Sequence, residues 1–163
     1  MVRLLFLVIL VACCAPFGAN SVRAAARPAK ISPTVYRIVE LVNVQRASRN
    51  LTLVKVNPLL VMEAQRFSGV QARLGRLSHR GVDGSNAGQR LTRAGYRWRF
   101  FGENLAAGQQ TPEALVSAWM KSPSHRANVL HPRAREIGIG HTWKSGDQAR
   151  YFDYWTMVVG QPR

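Results

Sequence analysis

A chain of 163 residues, 47% of them hydrophobic, is long enough for one domain with a single sizeable core and too short for several large ones. Its net charge of +15, from 23 Lys and Arg against 8 Asp and Glu, favours anionic partners such as lipid headgroups or acidic cell-wall polymers. The basic residues are scattered along the whole chain, so they predict a solvated basic surface and argue against a nucleic-acid-binding protein.

The first 26 residues have the features of an export signal and leader. Arg3 supplies a positive charge, and residues 4–12 form an apolar segment that is too short to span a bilayer. Small-residue cleavage sites follow at residues 19–21 and 24–26. We therefore predict that this segment is removed during export.

Both cysteines lie inside the predicted leader. Cleavage would remove Cys13 and Cys14 and leave a domain without thiols, held together by its core alone. Residues 10–13 also resemble a lipobox, so the alternative is a lipoprotein anchored through Cys13. In either case residues 27–163 form the exported domain, which is secreted, periplasmic or held at the cell envelope.

The first two predicted helices share one start signal, a polar capping residue followed by proline. Ser32 and Pro33 open the first helix, and the following apolar residues recur at helical spacing. Asn57 and Pro58 open a longer second helix with one buried stripe, and Gly75 closes it.

His79 follows the second helix in a glycine-containing loop over residues 78–85. A short helix over residues 87–94 comes next. Aromatic and arginine residues then alternate over residues 96–100, which predicts a half-buried strand. This strand leads directly into the Gly-Glu-Asn sequence at residues 102–104.

A fourth helix begins at Thr111 and is followed by a short fifth one. Leu115 and Trp119 are four residues apart, so both are expected to face the core. Pro123 permits a break and a new first turn, which places His125 on the short fifth helix.

The C-terminal part of the chain is predicted to be β-structure. Residues 136–142 form a strand, residues 144–147 a hairpin turn, and residues 150–160 a long strand rich in aromatic and β-branched residues. Helices first and antiparallel strands last favour a layered α+β domain. The tryptophans predicted to lie in the core are Trp98, Trp119 and Trp155, whereas Trp143 beside the turn is expected to be exposed.

Three chemically active side chains come just after predicted elements: His79, Glu103 and His125. Side chains at the ends of neighbouring elements can converge, so we expect these three to line one cleft. They are the candidate catalytic residues as well as the candidate ligand-binding residues.

The motifs around them resemble a known family. In chain order they are Ser78-His79, Asp83-Gly84, Arg90-Leu91, Gly95-Tyr96, residues 102–106, 119–128 and 136–140, and Tyr154-Trp155-Thr156. This ordered set covers residues 35–160 and is similar to the bacterial SCP-like branch of the CAP superfamily, which comprises cysteine-rich secretory proteins, antigen 5 and pathogenesis-related proteins.

The resemblance implies a fold and a site. The implied fold is a three-layer α-β-α sandwich with a small antiparallel sheet between helices. His79 and His125 match the two histidines of the family's cleft, and Glu103 matches one of its two acids. The second acid has no counterpart here, and Ser122 is nearest to its place.

The cleft chemistry leaves several alternatives open. Two neutral imidazoles are good ligands for a divalent metal such as zinc, so His79 and His125 are the predicted metal ligands, and Glu103 could complete the set. Alternatively, Glu103 accepts a ring N–H and fixes a histidine tautomer. In the simplest interpretation, each histidine is an ordinary polar residue.

The predicted function is an exported CAP-domain protein that binds a small or lipid-like ligand in this cleft. The predicted ligand-binding residues are His79, Glu103, Asn104, Ser122 and His125. One alternative is a metal-dependent or serine-type hydrolase, although no serine lies in a Gly-x-Ser-x-Gly elbow. Another is a basic adhesion protein that binds anionic lipid or wall polymer and has a vestigial cleft.

Overall fold

The computed structural model describes residues 31–163. The predicted signal peptide and the alternative lipid anchor at Cys13 therefore lie outside the described residues. Within the described range, none of the helices combines the length and hydrophobicity needed to cross a bilayer. In chain order, the elements are α1 (Pro33–Ala47), β1 (Lys55–Val56), α2 (Pro58–Leu74), α3 (Ala87–Arg93), β2 (Trp98–Ala107), α4 (Pro112–Lys121), α5 (Pro123–Val129), β3 (Glu136–Trp143) and β4 (Asp153–Pro162).

The two start signals identified in the sequence act as predicted. The Ser32 side chain accepts a hydrogen bond from the backbone N–H of Val35 and caps α1. The Asn57 side chain accepts from the N–H of Leu59 and caps α2. Gly75 ends α2 in the left-handed conformation, with φ of 62°, which a residue without Cβ adopts at little cost.

The four strands form one sheet in the order β1-β3-β4-β2. The three long strands are antiparallel to their neighbours, which confirms the predicted antiparallel sheet. The two-residue β1 adds a parallel pair with the beginning of β3. Strand β4 lies between β3 and β2, so both of its edges are paired.

Helices cover both faces of the sheet. Ile139 of β3 and Met157 of β4 pack with Trp119 in a core shared with α1, α4 and α5. Val158, which points to the opposite face, packs with Leu60 of α2 and with α3. Because adjacent strand residues alternate between the two helical layers, the predicted three-layer α-β-α sandwich is confirmed.

Two glycines in β3 let α2 lie directly on the sheet. A Cβ on Gly138 would overlap the backbone of Leu60, and a Cβ on Gly140 would overlap the backbone of Ala64. No side chain could fit there without separating helix and sheet, so these positions fix the distance between the two layers.

Strand β2 differs from the prediction in its extent. It continues to Ala107, so Glu103 lies inside a strand and does not follow one. Residues 102–106 are all buried, and Glu103 pairs with Val158 of β4. Because both faces of this part of the strand are covered, apolar and polar residues do not alternate along it. Trp98, predicted to lie in the core, is only partly buried because it is at the beginning of this strand.

The β3–β4 connection is longer than the predicted turn. Strand β4 begins at Asp153, three residues later than expected. The buried Asp147 carboxylate accepts hydrogen bonds from the backbone N–H of Phe152 and the hydroxyl of Tyr154. Arg150 and Phe152 adopt φ of 59° and 61°, so the segment before Asp153 is curled and cannot continue the strand.

Candidate functional site

The centre of the site is a pair formed by His79 and Glu103. His79 lies in the loop after α2, and its Nδ1 is 2.8 Å from Oε1 of Glu103 in β2. The histidine side chain is 61% exposed, whereas that of the glutamate is 4% exposed. A carboxylate can only accept a hydrogen bond, so Nδ1 carries a proton, and the lone pair of the neutral ring is then on Nε2.

Glu103 is held in place by a network of charged side chains. Arg90 of α3 donates from Nη2 to Oε2 of Glu103 and from Nε to Glu63 of α2, the second bond being 3.0 Å long. Glu63 also pairs with Arg66 through two bonds of 2.8 and 2.9 Å. Two glutamates and two arginines cancel in charge, so the network is balanced when the His79 ring is neutral.

Arg90 also fixes the loop that carries His79. Its Nη1 donates to the backbone carbonyls of His79 and Ser85, both at 3.1 Å. The guanidinium lies over the Phe67 ring, 3.5 Å from the ring centroid, and Arg90 is 2% exposed. The arginine therefore joins two helices, a strand and the functional loop, which sets the position of the imidazole.

His125 lies on α5, and its backbone contacts the residue that follows Glu103. Asn104 of β2 donates to the backbone carbonyl of His125 at 2.9 Å and accepts from Asn128 at 2.8 Å. Burial lowers the pKa of the His125 imidazole below its ordinary value of 6.5, and a proton on the nearby His79 ring would lower it further. His125 is therefore neutral near pH 7. The structure pairs His79 directly with Glu103, and it links His125 to the residue after Glu103 through the Asn104 side chain.

Two predicted ligand-binding residues have different surroundings. Asn104 is completely buried, and its side chain donates to the backbone carbonyl of His125, so in this structure it positions that residue. Ser122 is partly exposed at the α4–α5 junction, and its hydroxyl is 3.3 Å from that of Ser124. Within residues 31–163, no serine hydroxyl hydrogen-bonds to an imidazole.

Glu63 and Arg66 are members of the site that the sequence analysis missed. Glu63 lies on the apolar face of α2, three residues after Leu60 and four before Phe67, and is 5% exposed. A charged residue on a buried helical face needs a buried partner. A glutamate among apolar residues of a predicted helix therefore indicated a buried charge at Glu63. The sequence pattern could not identify Arg90 as its partner.

Glu103 is engaged by two neighbouring side chains. One of its carboxylate oxygens is bonded to His79 and the other to Arg90. Across the described part of the chain, no group of three or more His, Cys, Asp or Glu side chains is arranged to hold a metal ion. The donors that remain are the His79 Nε2 and the neutral ring of His125, which suit an ion held by two histidines with its other positions open.

Comparisons with known proteins place this chain in a family. The sequence profile of CAP, the cysteine-rich secretory protein family, matches residues 39–159. The chain is also 31% identical over 114 residues to the uncharacterized protein YkwD of Bacillus subtilis (strain 168). That alignment covers 70% of this chain and 44% of YkwD, so the chain spans less than half of this relative.

Solved structures share the fold. An outer surface protein from Borrelia burgdorferi superimposes with a TM-score of 0.70 at 19% identity, covering 77% of this chain and 90% of that one. An extracellular protein containing an SCP domain from Bacillus anthracis str. Ames gives a TM-score of 0.69 at 24% identity, covering 78% and 40%. At these identities the likeness concerns the fold alone. The profile match over most of the length confirms the resemblance found in the ordered motifs: the chain belongs to CAP, the cysteine-rich secretory protein family.

Proposed function

We propose that this protein is an extracellular binding protein whose cleft takes a small or lipid-like ligand through a divalent cation, such as zinc, held by His79 and His125. The observation that carries the proposal is the buried Glu103 carboxylate at 2.8 Å from His79 Nδ1, which selects the tautomer whose lone pair is on Nε2. The export-type leader supports the extracellular location, as do relatives described as outer-surface and extracellular proteins.

The electrostatics of the cleft favour a cation. A buried carboxylate behind a histidine orients the ring and makes its free nitrogen more basic, as is usual around metal-binding imidazoles. The lowered pKa of His125 keeps the second donor unprotonated near neutral pH. A bound ion would supply a Lewis-acidic centre for an oxygen of the ligand, while the chain's own part is to hold and orient the two imidazoles.

The test is a zinc titration followed by calorimetry and by thermal unfolding of the full chain. Zinc at about 100 times its dissociation constant should stabilise the protein by about 2.7 kcal/mol. His79→Ala and His125→Ala should abolish this gain. The control is His131→Ala, because His131 stacks on Phe100 outside the cleft and should leave the gain intact. An unchanged melting temperature with zinc would refute the cation-dependent proposal.

Glu103→Gln separates positioning from ligation. If Glu103 orients His79, the amide variant should weaken zinc binding by about 10–100-fold and not abolish it, since the two imidazoles remain. The hydrolase alternative instead requires turnover of a peptide or ester that is lost in Glu103→Gln. A broad peptide and ester screen that detects turnover in the unmodified protein would replace the binding function with an enzymatic one.

A further inference from the structure

An exposed group of aromatic side chains lies at the β3–β4 hairpin, away from the histidine cleft. Trp143 is 62% exposed, Tyr151 45% and Phe152 38%. Trp143 is the last residue of β3, and the other two immediately precede β4. We call these three residues the aromatic tip. One exposed aromatic residue by itself needs no explanation. Several large ones grouped at an exposed turn indicate an interaction surface.

The loop that bears the aromatic tip is held rigidly. The Asp147 carboxylate accepts from the backbone N–H groups of Tyr151 and Phe152 at 3.0 and 3.1 Å and from the Tyr154 hydroxyl at 2.7 Å. Burial opposes ionisation of Asp147, but these bonds lower its pKa to about 2, so it is charged at neutral pH. Phe152 is held at φ of 61°, a costly conformation for a bulky residue. The tip is thus kept in one exposed conformation at a cost in stability.

Two arginines belong to the segments that meet at the aromatic tip. The C-terminal end of α2 packs on this loop, since a Cβ on Gly75 would lie 3.7 Å from the Cβ of Ala149. Arg73 on this end of α2 and Arg150 in the loop are both exposed. Neither forms an ion pair with any residue in the range 31–163. Their charges are therefore available to an external anion.

We infer that the aromatic tip, with Arg73 and Arg150, docks this protein on an anionic lipid surface. Tryptophan and tyrosine favour the boundary between headgroups and acyl chains, and each arginine near an anionic leaflet adds attraction. A saccharide would need a concave site with convergent polar groups. A cavity lies elsewhere, between α3 and the beginning of β2, and the Phe152 side chain has no polar atom to offer. This inference does not depend on the metal-binding proposal.

The experiment measures binding of the full chain to sedimented vesicles of phosphatidylcholine, with and without about 30% phosphatidylglycerol. All variants keep residues 1–30, so any contribution from the apolar leader is the same in each. Binding should require the anionic lipid and should weaken strongly at about 1 M salt. A double variant, Trp143→Ser with Phe152→Ser, should reduce the partition coefficient by about tenfold or more. Arg73→Gln with Arg150→Asn should also reduce it by about tenfold or more.

Matched controls and a local probe make the result specific. Tyr36→Ser removes an aromatic side chain that is 54% exposed on α1, and Arg49→Gln removes an exposed arginine far from the tip; both should bind like the unmodified chain. Brominated lipid should quench the emission of Trp143, which is identified by the difference from Trp143→Phe.

Equal binding by all variants, or no Trp143 quenching, would overturn the inference. A Trp143-dependent dimer in gel filtration without lipid would assign the tip to a second copy instead.

Discussion

Replacing Arg90 with methionine should be among the most damaging single changes in this domain. The guanidinium is 2% exposed and pairs with one Glu103 oxygen, while it also pairs with Glu63 and with two loop carbonyls. Methionine keeps much of the volume but leaves an uncompensated buried carboxylate. Removing one partner of a buried ion pair costs about 3–5 kcal/mol, which corresponds to a fall in melting temperature on the order of 10 °C.

Urea unfolding followed by tryptophan fluorescence measures this cost, since Trp119 and Trp155 are buried and report on the core. The control is Arg93→Gln, which breaks an exposed ion pair with Asp83 and should cost about 0–1 kcal/mol. Adding Glu103→Gln to the Arg90 variant removes the stranded charge and should recover part of the loss. Equal costs for the Arg90 and Arg93 variants would show that the buried network does not position the site.

Two further predictions concern pH and packing. Because the pKa of His125 in the folded protein lies below its ordinary 6.5, the unfolded chain binds more protons than the folded one between these two pKa values. The stability that His125 contributes is complete above about pH 6.5 and is lost as the pH falls from there through the lowered pKa. Thermal melts between about pH 7.5 and pH 5 should show a shallower loss for His125→Asn, and an unchanged slope would refute this assignment. Gly138→Ala should cost about 1–3 kcal/mol in urea unfolding because its Cβ would strike the backbone of Leu60. Gly69→Ala, where a Cβ meets only ordinary contacts, should be neutral or stabilising, and equal costs would contradict the close-packing argument.

The arrangement around His79 limits what the cleft can do. The Glu103 carboxylate is bonded to both an imidazole and a guanidinium, so it holds the His79 ring in one orientation. Among the described residues, no serine hydroxyl is bonded to either ring nitrogen. The serine-type hydrolase alternative would therefore need a rearrangement that brings a serine hydroxyl to one of the imidazoles.

The sequence by itself was enough to find most of the secondary structure. The capping residues Ser32 and Asn57 and the closing Gly75 predicted where α1 begins and where α2 begins and ends, because these signals act within a few residues along the chain. The beginning of β2 was visible as alternation, because Arg97 and Arg99 are exposed between aromatic residues that are at least partly buried. Strand β2 was not seen at full length, since the burial of both faces at Glu103 removes the period of two.

The sequence also determined the family and the identity of the three central side chains, whose motifs keep their order along the chain. Only the tertiary structure decided what each does: that Glu103 holds His79, that Asn104 positions His125, and that a buried Arg90 joins them. Such roles depend on contacts between residues that are 13 to 24 positions apart. Local propensity carries no information about them, because burial and long-range pairing arise only when the helical layers close on the sheet.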